Sequence, residues 1–268
     1  MKVETALANR LGNRERNEDR CSILERSGTW LLLLADGMGG HAGGNLASQQ
    51  MIDSITRQFR HIPLPVKDPR RFLRSLLEDS HRDIVALGKR QDPPITPRTT
   101  SVLCLVQNGS AWWAHVGDSR LYLVRDGKIA VRTKDHTFIE EMRAHGALDE
   151  EQIRVHPLRN HLTHCLGSPE EIPPVELSEE TVLTESDVIV ICSDGLWGAL
   201  DMDKVIPLFD SRSLADSVTT LAALAERSST PRSDNISLVT LRLDTSDVEQ
   251  PDQQDEPAQT DDRNNVHA

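Results

Sequence analysis

Short apolar runs alternate with polar turns along this chain. Six of them read as strands: Trp30–Ala35, Ser101–Val106, Ala111–Val116, Leu121–Val124, Val188–Cys192 and Ile236–Leu243. All fall far short of the roughly 20 apolar residues that a membrane span needs. Asn108-Gly109, Asp126-Gly127 and Asp194-Gly195 are turn signals. The runs 111–116 and 121–124, followed by 129–133 after Asp126-Gly127, read as an antiparallel meander. Helical spacing appears in three places. Ile52, Ile55 and Phe59 form one stripe, and Phe72, Leu76, Leu77, Ile84 and Leu87 a second over about 69–90. The third is Leu214, Val218, Leu221 and Ala225, with Ser211 or Ser213 as N-cap. The first two helices are neighbours in sequence, which predicts that they pack together. Strands outnumber helices, so the pattern predicts an α+β fold: a β-sandwich with helices on its outer faces. Residues 137–166 are polar and interrupted, and read as an inserted flap with one short helix near Phe138–His145. Strand alternation buries one of Trp112 and Trp113. Trp113 is read as the outward member and Trp197 as core.

Charge separates the tail from the body. Asp244–Ala268 holds eight acids and one base, so it carries −7 of the chain's net −12. It has no aromatics and few apolar residues, which predicts an acidic disordered tail over 244–268 behind a single domain over 1–243. The body is only mildly acidic and has no basic run. That argues against a nucleic-acid or membrane-surface partner. The four cysteines are scattered, and Cys104 and Cys192 sit in apolar runs. They read as buried free thiols, which with the lack of an apolar N-terminal stretch predicts a cytoplasmic chain.

The candidate chemistry lies in acids at strand edges: Asp36, Asp118, Asp194 and Asp234, with Glu18-Asp19 near the start. An Asp beside a Gly is ordinary in a turn, but the set is less so. If these carboxylates converge, each like-charge pair at 4 Å costs about 4 kcal/mol at an effective dielectric of 20. Cations then become necessary, and oxygen-only donors select Mg²⁺ or Mn²⁺. Such a cluster suits a two-metal hydrolase. Gly37-Met38-Gly39-Gly40-His41-Ala42 formally fits a dinucleotide fingerprint, but no strand signal follows the next helix and Asp36 puts negative charge where a pyrophosphate would lie. His156, His161, His164 and Cys165 match no standard zinc spacing. Ser119 and Ser193 lie in no GxSxG elbow.

Eight motifs occur in order between residues 14 and 240. They are Arg14–Asp19 (RERNED), Asp36–His41 (DGMGGH), Thr99-Thr100, Gly117–Arg120 (GDSR), Asp135-His136, His156–Asn160 (HPLRN) followed by Leu166-Gly167, Cys192–Leu196 (CSDGL) and Ser233–Ser237 (SDNIS). In these the chain resembles the type 2C metal-dependent Ser/Thr protein phosphatases (the PPM family) in their compact bacterial form. The resemblance implies a four-layer α-β-β-α sandwich and hydrolysis of phosphoserine and phosphothreonine on proteins by a water activated between two metals. It implies Mn²⁺ or Mg²⁺ as cofactor, in two ions with a third site. Asp36 would bridge two ions, the Gly37 carbonyl would serve one, and Asp194 and Asp234 would complete the other. Glu18 and Asp19 would hold metal-bound waters, and Asp118, with Asp194, the third ion. Arg14 would grip the substrate phosphate and His41 is the candidate general acid. The implied partners are phosphorylated Ser/Thr proteins and a Ser/Thr kinase or its substrates, with the chain acting as a monomer. The chain departs from the family at Arg98, where a Gly usually precedes Thr99, and at Ser229–Ser233, which lacks the usual small pair before Asp234. The second of these motivates an alternative, a catalytically weak phosphoprotein-binding module on the same fold.

Overall fold

The computed structural model describes residues 2–38, 43–144, 158, 161–169, 171–185, 187–209 and 213–244. In chain order the strands are β1 (Lys2–Arg10), β2 (Asp19–Arg26), β3 (Thr29–Met38), β4 (Arg98–Thr99), β5 (Ser101–Gln107), β6 (Ser110–Val116), β7 (Arg120–Arg125), β8 (Lys128–Arg132), β9 (Glu176–Leu177), β10 (Thr181–Val182), β11 (Val188–Cys192) and β12 (Ile236–Asp244). The helices are α1 (Gly44–Phe59), α2 (Pro69–Lys89), α3 (Phe138–Ala144), α4 (Asp194–Trp197), α5 (Met202–Val205) and α6 (Leu214–Ser229). A five-stranded sheet runs β1-β12-β11-β7-β8. A seven-stranded sheet runs β10-β6-β5-β3-β2, with β4 beside β3 and β9 beside β6. Every pairing is antiparallel.

Alternation along the strands explains the layers, because successive side chains point to opposite faces. On β3, Leu31 and Leu33 face α1 and α2 and meet Met51, Ile55, Leu73 and Leu77. Leu32 and Leu34 point the other way and pack, with Val102 and Cys104, against Leu121, Ile189, Ile191 and Val239 of the second sheet. The outer face of that sheet buries Val190, Cys192 and Leu238 under Leu214, Val218 and Leu221 of α6. Three apolar seams make four layers, helix–sheet–sheet–helix, as expected. Each fully buried Leu or Val contributes about 1.5–3 kcal/mol. The four cysteines are thiols outside any disulfide, with Cys104 and Cys192 buried. Among the described residues no helix is long and apolar enough to cross a membrane.

Three expectations change. Strands 111–116 and 121–124 do not pair: β6 and β7 belong to different sheets, and the chain crosses between them at Gly117–Ser119. Only β7 and β8 form the hairpin, across Asp126-Gly127. Asp194-Gly195 is no turn but the first turn of α4, and a Cβ on Gly195 would lie 2.0 Å from the Asn235 carbonyl. Trp113 is buried between the sheets, and the outer member is Trp112, which packs on the helix side. The edge strand β1 and the strand β2 carry too few regularly spaced apolar residues to be read from the sequence. Of the expected flap, α3 and an isolated bridge between Thr137 and Leu162 are described. Residues 145–157 and the acidic tail lie outside the described residues, as does His41.

Candidate active site

Each candidate acid sits where a strand ends at one rim of the sandwich. Asp19 opens β2 and lies directly opposite Asp36 near the end of β3. Asp118 lies on the crossover between β6 and β7, Asp194 begins α4 after β11, and Asp234 precedes β12. Asp36, Asp118, Asp194 and Asp234 line one cleft of about 290 Å³, with Glu18 and Arg14. Asp19 lies behind them, almost fully buried.

Close backbone approaches shape the cleft. A Cβ on Gly37 would lie 2.2 Å from the Gly44 carbonyl, so only glycine lets α1 start this near β3. The Gly37 N–H donates to the Glu18 carbonyl at 3.2 Å, and Ser48 Oγ donates to the same carbonyl at 2.5 Å. Gly117 has φ +106°, and its N–H side faces the segment carrying His136. Thr100 Oγ1 accepts from the Asp36 N–H at 3.2 Å and shares a 2.7 Å hydrogen bond with Ser119 Oγ. Thr99 Oγ1 donates to the Asp36 carbonyl at 2.9 Å. These bonds fix Asp36 on a rigid strand end, where a side chain can be aimed accurately.

Several residues that were not candidate site residues, most of them inside the motifs above, position the acids. Asn235 donates to the carbonyls of Leu11 (2.8 Å) and Arg16 (3.0 Å) and accepts from the Glu18 N–H at 2.8 Å. It clamps the Arg14–Glu18 loop to the opposite sheet. Asn13 exchanges bonds with Ser233 at 2.9 and 3.2 Å, which pins the atypical 229–233 loop beside Asp234. Ser193 Oγ donates to Asp19 at 2.8 Å and accepts from the Ser237 N–H at 3.0 Å. Arg120 makes a two-pronged pair with Asp135 at 2.8 and 2.7 Å and stacks 3.6 Å over Trp197, whose Nε1 donates to the Asp118 carbonyl. Trp197 is half-buried against the core under α6, as expected, and also supports the cleft.

The electrostatics test whether cations fit. Burial pushes the Asp118 carboxyl up to about 8, with the charges of Asp194 and Asp135 adding to it. Asp19 rises to about 7, chiefly by burial and then by Asp194. Asp194 rises to about 6 by burial and the charge of Asp234. Asp36 is raised well above the ordinary carboxylate range, by burial and by Asp19, Asp194, Asp118 and Asp234 together. Asp36 lies close enough to Asp19 and Asp194 that each of the three perturbs the ionisation of another. Arg14 and Arg16 line the cleft, and Arg14 meets Asp234 at 2.7 Å from an exposed position. The donors are all oxygen, and positive charge is what they lack. That fits hard divalent cations.

A four-layer sandwich with a rim of converging carboxylates defines a metal-dependent phosphoester hydrolase of the protein phosphatase class. The sequence profile of the protein phosphatase 2C family matches residues 8–236, and the chain belongs to that family. Protein phosphatase PhpP of Streptococcus pneumoniae is 30% identical over 252 residues, covering 92% of this chain and 100% of that protein. The solved Ser/Thr phosphatase of S. agalactiae superposes with a TM-score of 0.83 at 29% identity, covering 91% of this chain and 100% of that one. The catalytic domain of PstP, solved in complex with two manganese ions, superposes with a TM-score of 0.74 at 28% identity, covering 90% and 98%. The chain is thus a protein-serine/threonine phosphatase of the metal-dependent type 2C kind.

Proposed function

We propose that this chain hydrolyses the phosphate esters of phosphoserine and phosphothreonine in proteins, with water as nucleophile, and so reverses a Ser/Thr kinase. The observation that carries the reading is the convergence of Asp36, Asp118, Asp194 and Asp234 on one cleft with Arg14 at its mouth. Asp36 and the Gly37 carbonyl, with Asp194 and Asp234, would hold two divalent cations. Asp118, with Asp194, would hold a third, and Glu18 and Asp19 would orient water around them. When bound, Mn²⁺ or Mg²⁺ would acidify water and neutralise phosphoryl charge. Arg14 presents a guanidinium fork suited to phosphate and must exchange its bond to Asp234 for one to substrate. With water as the nucleophile, no phosphoenzyme forms. His41 would protonate the leaving seryl or threonyl oxygen. Residues 1–243 would act as one phosphatase domain with its flap over 137–166.

Turnover of p-nitrophenyl phosphate and a phosphothreonine peptide tests this directly. Activity should require Mn²⁺, disappear with EDTA, and fall about 100-fold or more in Asp36→Asn, the scale of losing one preorganised electrostatic group. A folded, Mn²⁺-loaded chain that binds the peptide without turning it over would instead mark a phosphoprotein-binding module.

A further inference from the structure

The floor of the cleft is acidic, but two unpaired cations stand at its edge. Arg16 lines the cleft beside Arg14 and is exposed. Its carbonyl accepts from Asn235 at 3.0 Å, which holds the 14–18 loop to the wall that carries Asp234. Arg98 comes from another element. It is the exposed residue of β4 and lies directly opposite Met38, which lines the cleft at the end of β3. Cross-strand partners share a face, with Cβ atoms about 4.5–5.5 Å apart. Arg98 therefore stands on the rim beside Met38. Its neighbour Thr99 exchanges backbone bonds with Leu166 at 3.2 and 2.9 Å, so this wall is where the flap rejoins the sheet. We propose that Arg16 and Arg98 form a docking rim that selects phosphopeptides with acidic side chains flanking the phosphorylated residue. The proposal rests on the phosphatase reading above and names the substrate class of the same site.

Three observations support it. The first is that the fold uses neither guanidinium. Among the described residues, Arg16 and Arg98 have no ion pair and no side-chain hydrogen bond, although Arg16 shares its loop with Glu15 and Glu18. Other arginines around the acids are engaged: Arg14 by Asp234, Arg120 by Asp135. The second is placement. Arg16 and Arg98 stand on different walls of one cleft of about 290 Å³. That volume takes a phosphorylated side chain and leaves the residues on either side of it over the rim. The third is charge balance. The exposed acid of the 14–18 loop is Glu15, and Arg232, two residues before Asp234, is exposed as well. Exposed cations thus exceed exposed acids around the mouth. Divalent cations on the carboxylates beneath would cancel the charge of the floor and leave the rim positive. A positive rim attracts acidic flanks and repels basic ones. Guanidinium forks also match carboxylates in a two-pronged geometry.

The size of the effect follows from exposure. An exposed charge pair changes affinity by about 1.5- to 5-fold and is weakened by salt. Two arginines, each attracting an acid and repelling a lysine, set the discrimination between oppositely charged flanks at roughly tenfold. Specificity of this kind is read as a ratio of kcat/KM values.

The test uses the full chain in saturating Mn²⁺ and two phosphothreonine peptides, one with aspartates on both sides of the phosphothreonine and one with lysines. The wild type should favour the acidic peptide about tenfold in kcat/KM, mostly through KM, and the ratio should shrink toward one in about 0.5 M salt. Arg16→Gln and Arg98→Gln should each lower the ratio about threefold, and the double variant should bring it near one. The ratio is internal to each variant, so a general loss of turnover does not move it. Both side chains are exposed, so the variants should keep the wild-type circular dichroism spectrum. p-Nitrophenyl phosphate, which has no flanks, separates the two readings. If the wild type turns it over with Mn²⁺ but treats the two peptides alike, the rim is overturned and the phosphatase reading stands. A preference that survives intact in the double variant overturns the rim as well. If none of the three compounds is turned over, the phosphatase reading fails and the rim fails with it.

Discussion

Replacing Gly117 with alanine would set a Cβ 2.7 Å from the Thr100 side chain, at a backbone φ of +106°. Neither Thr100, tied to Ser119 and Asp36, nor the crossover can yield without moving Asp118. The variant should lose about 2–4 kcal/mol by clash and backbone strain, read as a lower midpoint in urea, with phosphatase activity falling further than stability explains. An unchanged midpoint would refute this account of the crossover. The sequence marks Gly117-Asp118 as a strand-edge pair but not as a sheet crossing, because local pattern does not say which sheet the next strand joins. Trp112 and Trp113 show the same limit. Alternation separates the two, yet both faces of β6 are covered, one by α2 and one by the second sheet, so "outward" has no local meaning there. Asn235 and Ser193 stand inside motifs, but their positioning roles come from partners far along the chain that no local pattern names.

Among the elements, the long amphipathic helices are the most legible. Their apolar stripes repeat over several turns, and their caps are local. Ser213 is the cap of α6: its Oγ accepts from the Asp216 N–H at 3.1 Å and donates to the Asp216 carboxylate at 2.8 Å. Ser213→Ala should cost about 1 kcal/mol. In a domain of this size that lowers the melting temperature by roughly 2–4 °C without altering metal-dependent turnover. A larger loss would mean that the cap also holds the β1 contact, where the Leu214 N–H donates to Glu4. β1 escapes sequence reading for a related reason. It is an edge strand whose Glu4 and Arg10 are engaged by Arg242 and Glu226, and whose Leu7 is exposed, so no period-two apolar signal arises. Pairing with β12 over its whole length, rather than propensity, makes it a strand.

At the scale of the whole molecule the carboxylate rim joins the two sheets. Asp19 and Asp36 belong to the seven-stranded sheet, Asp194 and Asp234 to the end of the five-stranded one, and Asp118 to the crossing between them. Without cations these groups oppose the fold at neutral pH. Asp194, Asp19 and Asp118 titrate near 6, 7 and 8 when folded, against 3.8 for an ordinary aspartate. The folded chain thus holds protons that the unfolded chain has released, and stability must fall as pH rises from about 4 to 8. Divalent cations on the same oxygens would take the place of those protons and reverse the trend. In EDTA the melting temperature should drop between pH 5 and pH 8. Mg²⁺ should restore it far more at pH 8 than at pH 5, since at pH 5 protons still compete for the oxygens. At 100 times its dissociation constant a single bound ion adds about 2.7 kcal/mol, or roughly 5–10 °C here. Scanning calorimetry at the two pH values, with EDTA or Mg²⁺, reads both slopes. A melting temperature at pH 8 that ignores Mg²⁺ would show that the acids do not act as one cation-binding unit. The cations would then have no part in holding the sandwich closed at its catalytic rim.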